Sequence, residues 1–216
     1  MSIEGGDREI SGKHQGHTWK TKSICRHMLY ESCDLQGKLN IVGGTYKHYH
    51  GKRQFNNFSN DEYRSRAIDV MFDFYDYMSS DVDIWPMFGT ILGIIRNDDL
   101  IHHDDDIDFG YFKKDTSIII DKLDSIHGKN GYLVIRNEFS NLYSLAKDDV
   151  LIDLYEFEQL VESPFLQQGH RSFYNLMKDE LFPLKTIEFK GKELKCMNDP
   201  VKFFERYYGE DWKQPK

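Results

Sequence analysis

The chain has 216 residues, 39% of them hydrophobic and 30% charged, with a formal charge of -8 from 28 basic and 36 acidic side chains. That length buries one good core, and no apolar run reaches the ~20 residues of a spanning helix, which excludes a membrane bundle. An acidic chain without a basic run is also a poor binder of nucleic acid, whose affinity comes from neutralised phosphates.

The first fifty residues differ from the rest. Eight of the 16 glycines and five of the nine histidines lie at or before Gly51. Aliphatic spacing is irregular there, so residues 1–55 read as a partly irregular extension and 56–216 as the main domain. Cys25, His27, Cys33, His48 and His50 match no zinc-finger spacing and read as ordinary packing and surface residues. Three cysteines give no disulfide framework. With no apolar leader segment visible, a cytoplasmic location is expected, a secretory lumen being the alternative.

Stronger signals begin at Ser59. Ser59 and Glu62 have the spacing of a capping box. Ala67, Ile68, Met71, Phe74, Tyr75 and Met78 then recur at helical intervals, which predicts an amphipathic helix of about five turns. A strand is expected over Val82–Phe88, broken by Gly89-Thr90, with a short helical segment to Arg96. A second strand begins inside the acidic run and carries Ile107, Phe109, Tyr111 and Phe112. A helix capped at Asp115 or Thr116 and stopped by Gly128 follows. Tyr132–Arg136, Leu142–Ala146 and Val150–Phe157 read as an antiparallel meander. A hairpin turns at Lys190-Gly191, and Asp199-Pro200 opens a last helix that ends at Gly209.

The chemistry concentrates in Phe88–Phe109, FGTILGIIRNDDLIHHDDDIDF. On an extended backbone Asp104, Asp106 and Asp108 share a face while Ile107 and Phe109 point into a core. Carboxylates that close repel unless a cation lies among them, and hard oxygen ligands suit magnesium or manganese. An EF-hand fails because its sixth position is Phe109 instead of glycine. A glycosyltransferase Asp-x-Asp would follow a longer nucleotide-binding unit. A His-Asp phosphohydrolase built on His103-Asp104 would need more downstream histidines. Asp153, set in the apolar run Leu151–Tyr155, is costly there unless something binds it. A glycine elbow offering N–H groups to phosphate, paired strand aspartates and a third aspartate on a neighbouring strand form the constellation of nucleotidyltransferases.

The block GTILGIIRNDDLIHHDDDIDFG closely resembles the GTLLGxxRxxxxIPWDDDIDxG block of the LicD/fukutin family of phosphotransferases. It agrees at Gly89, Thr90, Leu92, Gly93, Arg96, Ile101, Asp104, Asp105, Asp106, Ile107, Asp108 and Gly110. Later pieces resemble the family in order: Ile152-Asp153-Leu154, Leu181-Phe182-Pro183-Leu184, and the terminal Tyr208-Gly209-Glu210-Asp211-Trp212. The similarity runs from about Asp61 to Pro215. His102-His103 stand where the family has Pro-Trp, and Asp98-Asp99 where it often has glycine.

The resemblance implies a nucleotidyltransferase-like α/β (α+β) domain, a mixed sheet flanked by helices. It implies magnesium- or manganese-dependent transfer of phosphocholine, ribitol phosphate or glycerol phosphate from a CDP-linked donor to a glycan hydroxyl, with CMP released. The glycan would be a surface or secretory one, in lipopolysaccharide, teichoic acid or glycoprotein synthesis. On that reading Asp106 and Asp108 bind metal, assisted by Asp104. Asp153 is a third ligand or the general base. Gly89, Thr90, Gly93, Arg96 and His103 line the donor side, with Arg96 alternatively a structural ion pair and His103 alternatively a loop residue. Two other classes stay open: nucleotidyl transfer from a triphosphate with pyrophosphate release, and a non-catalytic metal or glycan binder.

Overall fold

The structure is a computed structural model, and it describes residues 9–14, 17–22, 57–137, 142–159, 165–168 and 171–215. Cys25, His27, Cys33, His48 and His50 lie outside the described residues. Within the extension, a polar hairpin pairs β1 (Glu9–His14) with β2 (His17–Lys22).

Helix α1 (Asp61–Ser79) buries Ala67, Ile68, Met71, Phe74, Tyr75 and Met78, the stripe its spacing predicts. Its cap is Asn60, not Ser59: Asn60 Oδ1 accepts the Tyr63 N–H at 2.8 Å, while the Ser59 hydroxyl turns back to Asn57. The expected strand over Val82–Phe88 contracts to β3 (Ile84–Pro86), because Met87 already caps α2 (Phe88–Asn97). Gly89 and Thr90 therefore lie inside the first turn of a helix.

Strand β4 (Asp106–Phe112) is followed by a 3-10 turn and α3 (Thr116–Ile126). The meander is β5 (Leu133–Asn137), β6 (Leu142–Lys147) and β7 (Val150–Gln159). Beyond it lies an unpredicted hairpin, β8 (Phe165–Gln168) and β9 (Arg171–Met177), and a single-turn helix α4 (Lys178–Leu181). The predicted hairpin is β10 (Lys185–Phe189) with β11 (Lys192–Cys196), and α5 (Pro200–Tyr208) is the last helix.

The main sheet has the order β3-β4-β7-β6-β5, and the β8–β9 hairpin extends from β7. β4 and β7 run parallel and the other pairs antiparallel, so the sheet is mixed. Its two faces carry separate cores. Ile107, Phe109, Tyr111, Ile152 and Leu154 pack under α1 and α3. Trp85, Phe112 and Phe157 pack with Ile91 and Leu92 of α2 and with Phe203 and Phe204 of α5. Alternation along β4 thus places one row of residues in the first core and leaves Asp106 and Asp108 on the second face.

Candidate functional site

Three carboxylates are brought together by strand register. Asp106 and Asp108 are alternate residues of β4, and Asp153 of β7 stands directly opposite Asp108 across the parallel pair. Each offers an oxygen within 4.8 Å of the others. Asp108 is 6% exposed and Asp153 fully buried. A second group, Asp104, Asp105 and Asp106, meets the same distance and shares Asp106 with the first.

The helix start is stapled to this strand. The Met87 N–H donates to the Asp108 carbonyl, and the Asp108 N–H donates to Thr90 Oγ1, both at 2.9 Å. The N-terminal turn of α2, positive by its dipole, is thereby held beside the acidic row. Asp104 packs against that turn: a Cβ at Gly89 would overlap Asp104 Oδ2. The Asp104 carbonyl accepts the Phe58 N–H at 2.9 Å, which ties the segment before α1 to the acidic loop. A misplacement of ~1 Å at a reacting site costs about 10²-fold. Gly89→Ala is accordingly expected to cut turnover by about that factor with its melting temperature held or raised, since alanine favours the helix. Wild-type turnover in this variant would show that the position of Asp104 is immaterial.

Charge crowding shapes the titration. Burial, and then the neighbouring carboxylates Asp108, Asp104 and Asp153, push the Asp106 carboxyl well above the ordinary carboxylate range. Burial and Asp153 do the same for Asp108, opposed by a hydrogen bond from Tyr155. Asp108 Oδ1 is buried and accepts no hydrogen bond. A set of hard carboxylate oxygens with an orphaned buried acceptor fits a divalent cation, and the cluster can hold a metal ion.

The family model described as LicD/FKTN/FKRP, nucleotidyltransferase domain, matches residues 81–199, more than half of the 216. The chain belongs to the LicD family. The matched region contains every acidic residue of the site, and the LicD domain is of the phosphotransferase/nucleotidyltransferase type. An uncharacterized protein of Rickettsia typhi (strain ATCC VR-144 / Wilmington) is 28% identical over 131 residues, 61% of this chain and 41% of that protein. One of Rickettsia prowazekii (strain Madrid E) is 25% identical over 131 residues, covering 61% and 49%. The chain thus spans about half the length of these relatives or less. Among solved structures, the lincosamide antibiotic adenylyltransferase LnuA, lincomycin-bound, aligns with a TM-score of 0.46 and 16% identity over 66% of this chain and 86% of that one. ANT(2")-Ia in complex with adenylyl-2"-tobramycin gives 0.46 and 12% over 68% and 77%.

Within this LicD domain, Gly89, Thr90, Asp104, Asp106, Asp108 and Asp153 converge. His102 and His103 are exposed in the turn just before the cluster. Arg96 and Gly93 sit elsewhere. Arg96 is seven residues beyond Gly89, ~10 Å along the helix, and donates to the Trp212 carbonyl at 3.2 Å and to Asn97 Oδ1 at 2.7 Å. Gly93 lets the following loop close on α2, since a Cβ there would lie 2.6 Å from the Asp99 carbonyl oxygen. Tyr155 is the site residue that sequence reasoning missed. Its position two residues after Asp153 on a strand was the available signal, because alternate residues share a face.

No helix among the described residues is long and apolar enough to cross a membrane.

Proposed function

We propose that this LicD domain transfers a phospho-alcohol from a CDP-linked donor to a glycan hydroxyl and releases CMP. The observation that carries the reading is the meeting of Asp106, Asp108 and Asp153 within 4.8 Å beside the first turn of α2. Asp106, Asp108 and Asp153, with Asp104 alongside, would hold magnesium or manganese, which supplies positive charge to offset the donor phosphates.

The chain's own groups do the rest. Backbone N–H groups of the first turn of α2, at Gly89 and Thr90, bind the donor diphosphate. His103 borders the donor from the turn. Gly93 and Arg96 act through the helix they hold in place. Asp153 accepts the proton of the acceptor hydroxyl, whose oxygen bonds to the phosphorus bearing the alcohol as the bond to CMP breaks.

The test is ³¹P NMR of the chain with magnesium or manganese and, in turn, CDP-choline, CDP-ribitol, CDP-glycerol, CTP and ATP, with sugar acceptors. CMP formed from one CDP-alcohol, with the phospho-alcohol appearing on sugar or water, is the expected result. Pyrophosphate from a triphosphate alone overturns the reading in favour of nucleotidyl transfer. Binding of nucleotide without any product replaces it with the non-catalytic binder.

A further inference from the structure

Asp98-Asp99 open the connector between α2 and β4, where the family often has glycine. The connector runs back along α2. Gly89 and Gly93 are four residues apart and share one face of that helix. The Asp99 carbonyl lies against Gly93, and the Asp104 carboxylate lies against Gly89, each in the place a Cβ would need.

Arg64 of α1 holds the same connector at both ends, and its side chain is only 13% exposed. Its Nε donates to Asp99 Oδ2 at 3.0 Å, and its Nη1 donates to the Phe58 carbonyl at 2.5 Å. The Phe58 N–H in turn donates to the Asp104 carbonyl at 2.9 Å. One guanidinium therefore reaches Asp99 directly and Asp104 through a single residue. Phe58 is buried and its ring stacks on Tyr63, centroids 5.8 Å apart, so it has little room to yield. Asp99 is fixed as well: its Oδ1 accepts the Leu100 N–H at 2.9 Å, with Lys190 Nζ 3.7 Å away. The third arm of Arg64 ends on Asp61, a carboxylate 90% exposed, where a pair contributes little.

We infer that Arg64 is a positioning residue of the acidic centre: through Asp99 and Phe58 it holds Asp104 against the first turn of α2, an inference that rests on the metal-dependent reading above. Arginine suits the task because its planar fork offers several N–H groups in fixed directions, whereas lysine is a point charge on a flexible stem. The aspartate at position 99 supplies the anion for that fork, which a glycine there could not. Outer partners that orient metal ligands typically contribute 10–100-fold in metal affinity.

The experiment measures free Mn²⁺ by electron paramagnetic resonance in titrations of the wild-type chain, Arg64→Lys, Asp99→Asn, Gly89→Ala and the double variant Arg64→Lys/Gly89→Ala. The temperature is one at which metal-free melts show each chain folded. The expected result is a Kd for Mn²⁺ raised by ~10-fold in Arg64→Lys, and raised likewise in Asp99→Asn. Gly89→Ala displaces Asp104 by itself, so the double variant should fall well short of the product of the two single effects, whereas independent sites would multiply. Arg206→Met breaks a buried pair with Glu180 and is the control for destabilisation alone, with a wild-type Kd expected. Wild-type affinity in Arg64→Lys or Asp99→Asn, effects that multiply in the double variant, or an equal rise in Arg206→Met overturns the inference and leaves the metal site standing. Absence of Mn²⁺ binding by the wild-type chain overturns both.

Discussion

Asp108→Asn is expected to lose turnover by ~10²–10³-fold and yet, without metal, to melt at a higher temperature than the wild type. On the proposed reading Asp108 holds the cation that offsets the reacting phosphate, and loss of such electrostatic stabilisation costs on the order of 10²–10³ in kcat. Asp108 would combine that proposed role with a fixed place in β4. Its backbone bonds to Met87 and Thr90 do not involve the side chain, so the asparagine variant keeps them.

The stability gain follows from the direction of the shifts. Asp106 and Asp108 are both raised in the folded chain, first by burial and then by neighbouring carboxylates. The folded state then holds protons that the unfolded state, with a carboxylate value near ~3.9, has already released. Folding stability is greatest below that unfolded value and falls as pH rises toward the raised folded values. Metal-free wild-type chain should melt lower at pH 7.5 than at pH 5, and Asp108→Asn should lose less over the same interval. Added Mg²⁺ should stabilise the wild type most at the higher pH, where the carboxylates carry charge, and stabilise the variant far less. Thermal melts at the two pH values, with EDTA and with Mg²⁺, test all of this. A metal-free melting temperature that is lower in the variant, or equal Mg²⁺ effects in the two chains, would contradict it.

Arg206→Met is expected to lose ~3 kcal/mol of folding stability, because removing one partner strands a buried charge. Glu180 of α4 is fully buried. Arg206 of α5 donates to it twice, Nε to Oε1 at 2.8 Å and Nη2 to Oε2 at 2.6 Å, and the Met177 N–H donates to Oε2 at 2.8 Å. This fork joins α4 to α5, the helix whose Phe203 and Tyr207 back Phe88 at the start of α2. Urea unfolding reads the effect as a lower midpoint with an unchanged slope. A midpoint within error of wild type would mean that the pair contributes nothing and that aromatic packing alone seats α5. Among surviving folded molecules kcat should be little changed, which separates this loss from that of Asp108→Asn.

Much of the fold is legible wherever one period governs a segment. The stripe from Ala67 to Met78 has a single apolar face and becomes α1. The alternation from Asp106 to Phe112 becomes β4, and the Asp199-Pro200 signal opens α5. Where two signals compete, the boundaries shift. Val82–Phe88 reads as one apolar strand, yet only three residues pair, because Met87 caps α2 and the helix begins at Phe88 while β4 opposite continues to Asp106. Asn60 supplants Ser59 as a cap because α1 begins at Asp61, which makes Asn60 the flanking residue whose Oδ1 reaches the Tyr63 N–H. The polar hairpin β1–β2 carries no apolar alternation to announce it, and β8–β9 follows Phe165-Leu166 with Gln167-Gln168 and has a register shift there, which breaks its alternation.

The acidic residues and the family block determine the chemistry, since carboxylates spaced two apart on a strand share a face whatever surrounds them. What sequence cannot reach is which distant residues that face meets. Asp153 lies 45 residues beyond Asp108, and only the parallel pairing of β4 with β7 sets them opposite each other. The same pairing brings Tyr155 to the site, and the α2–α5 contact takes Arg96 away from it to the Trp212 carbonyl. Local backbone geometry depends on neighbouring residues and is written in the chain, whereas strand register and helix docking depend on burying two separate cores at once, which only the folded whole decides.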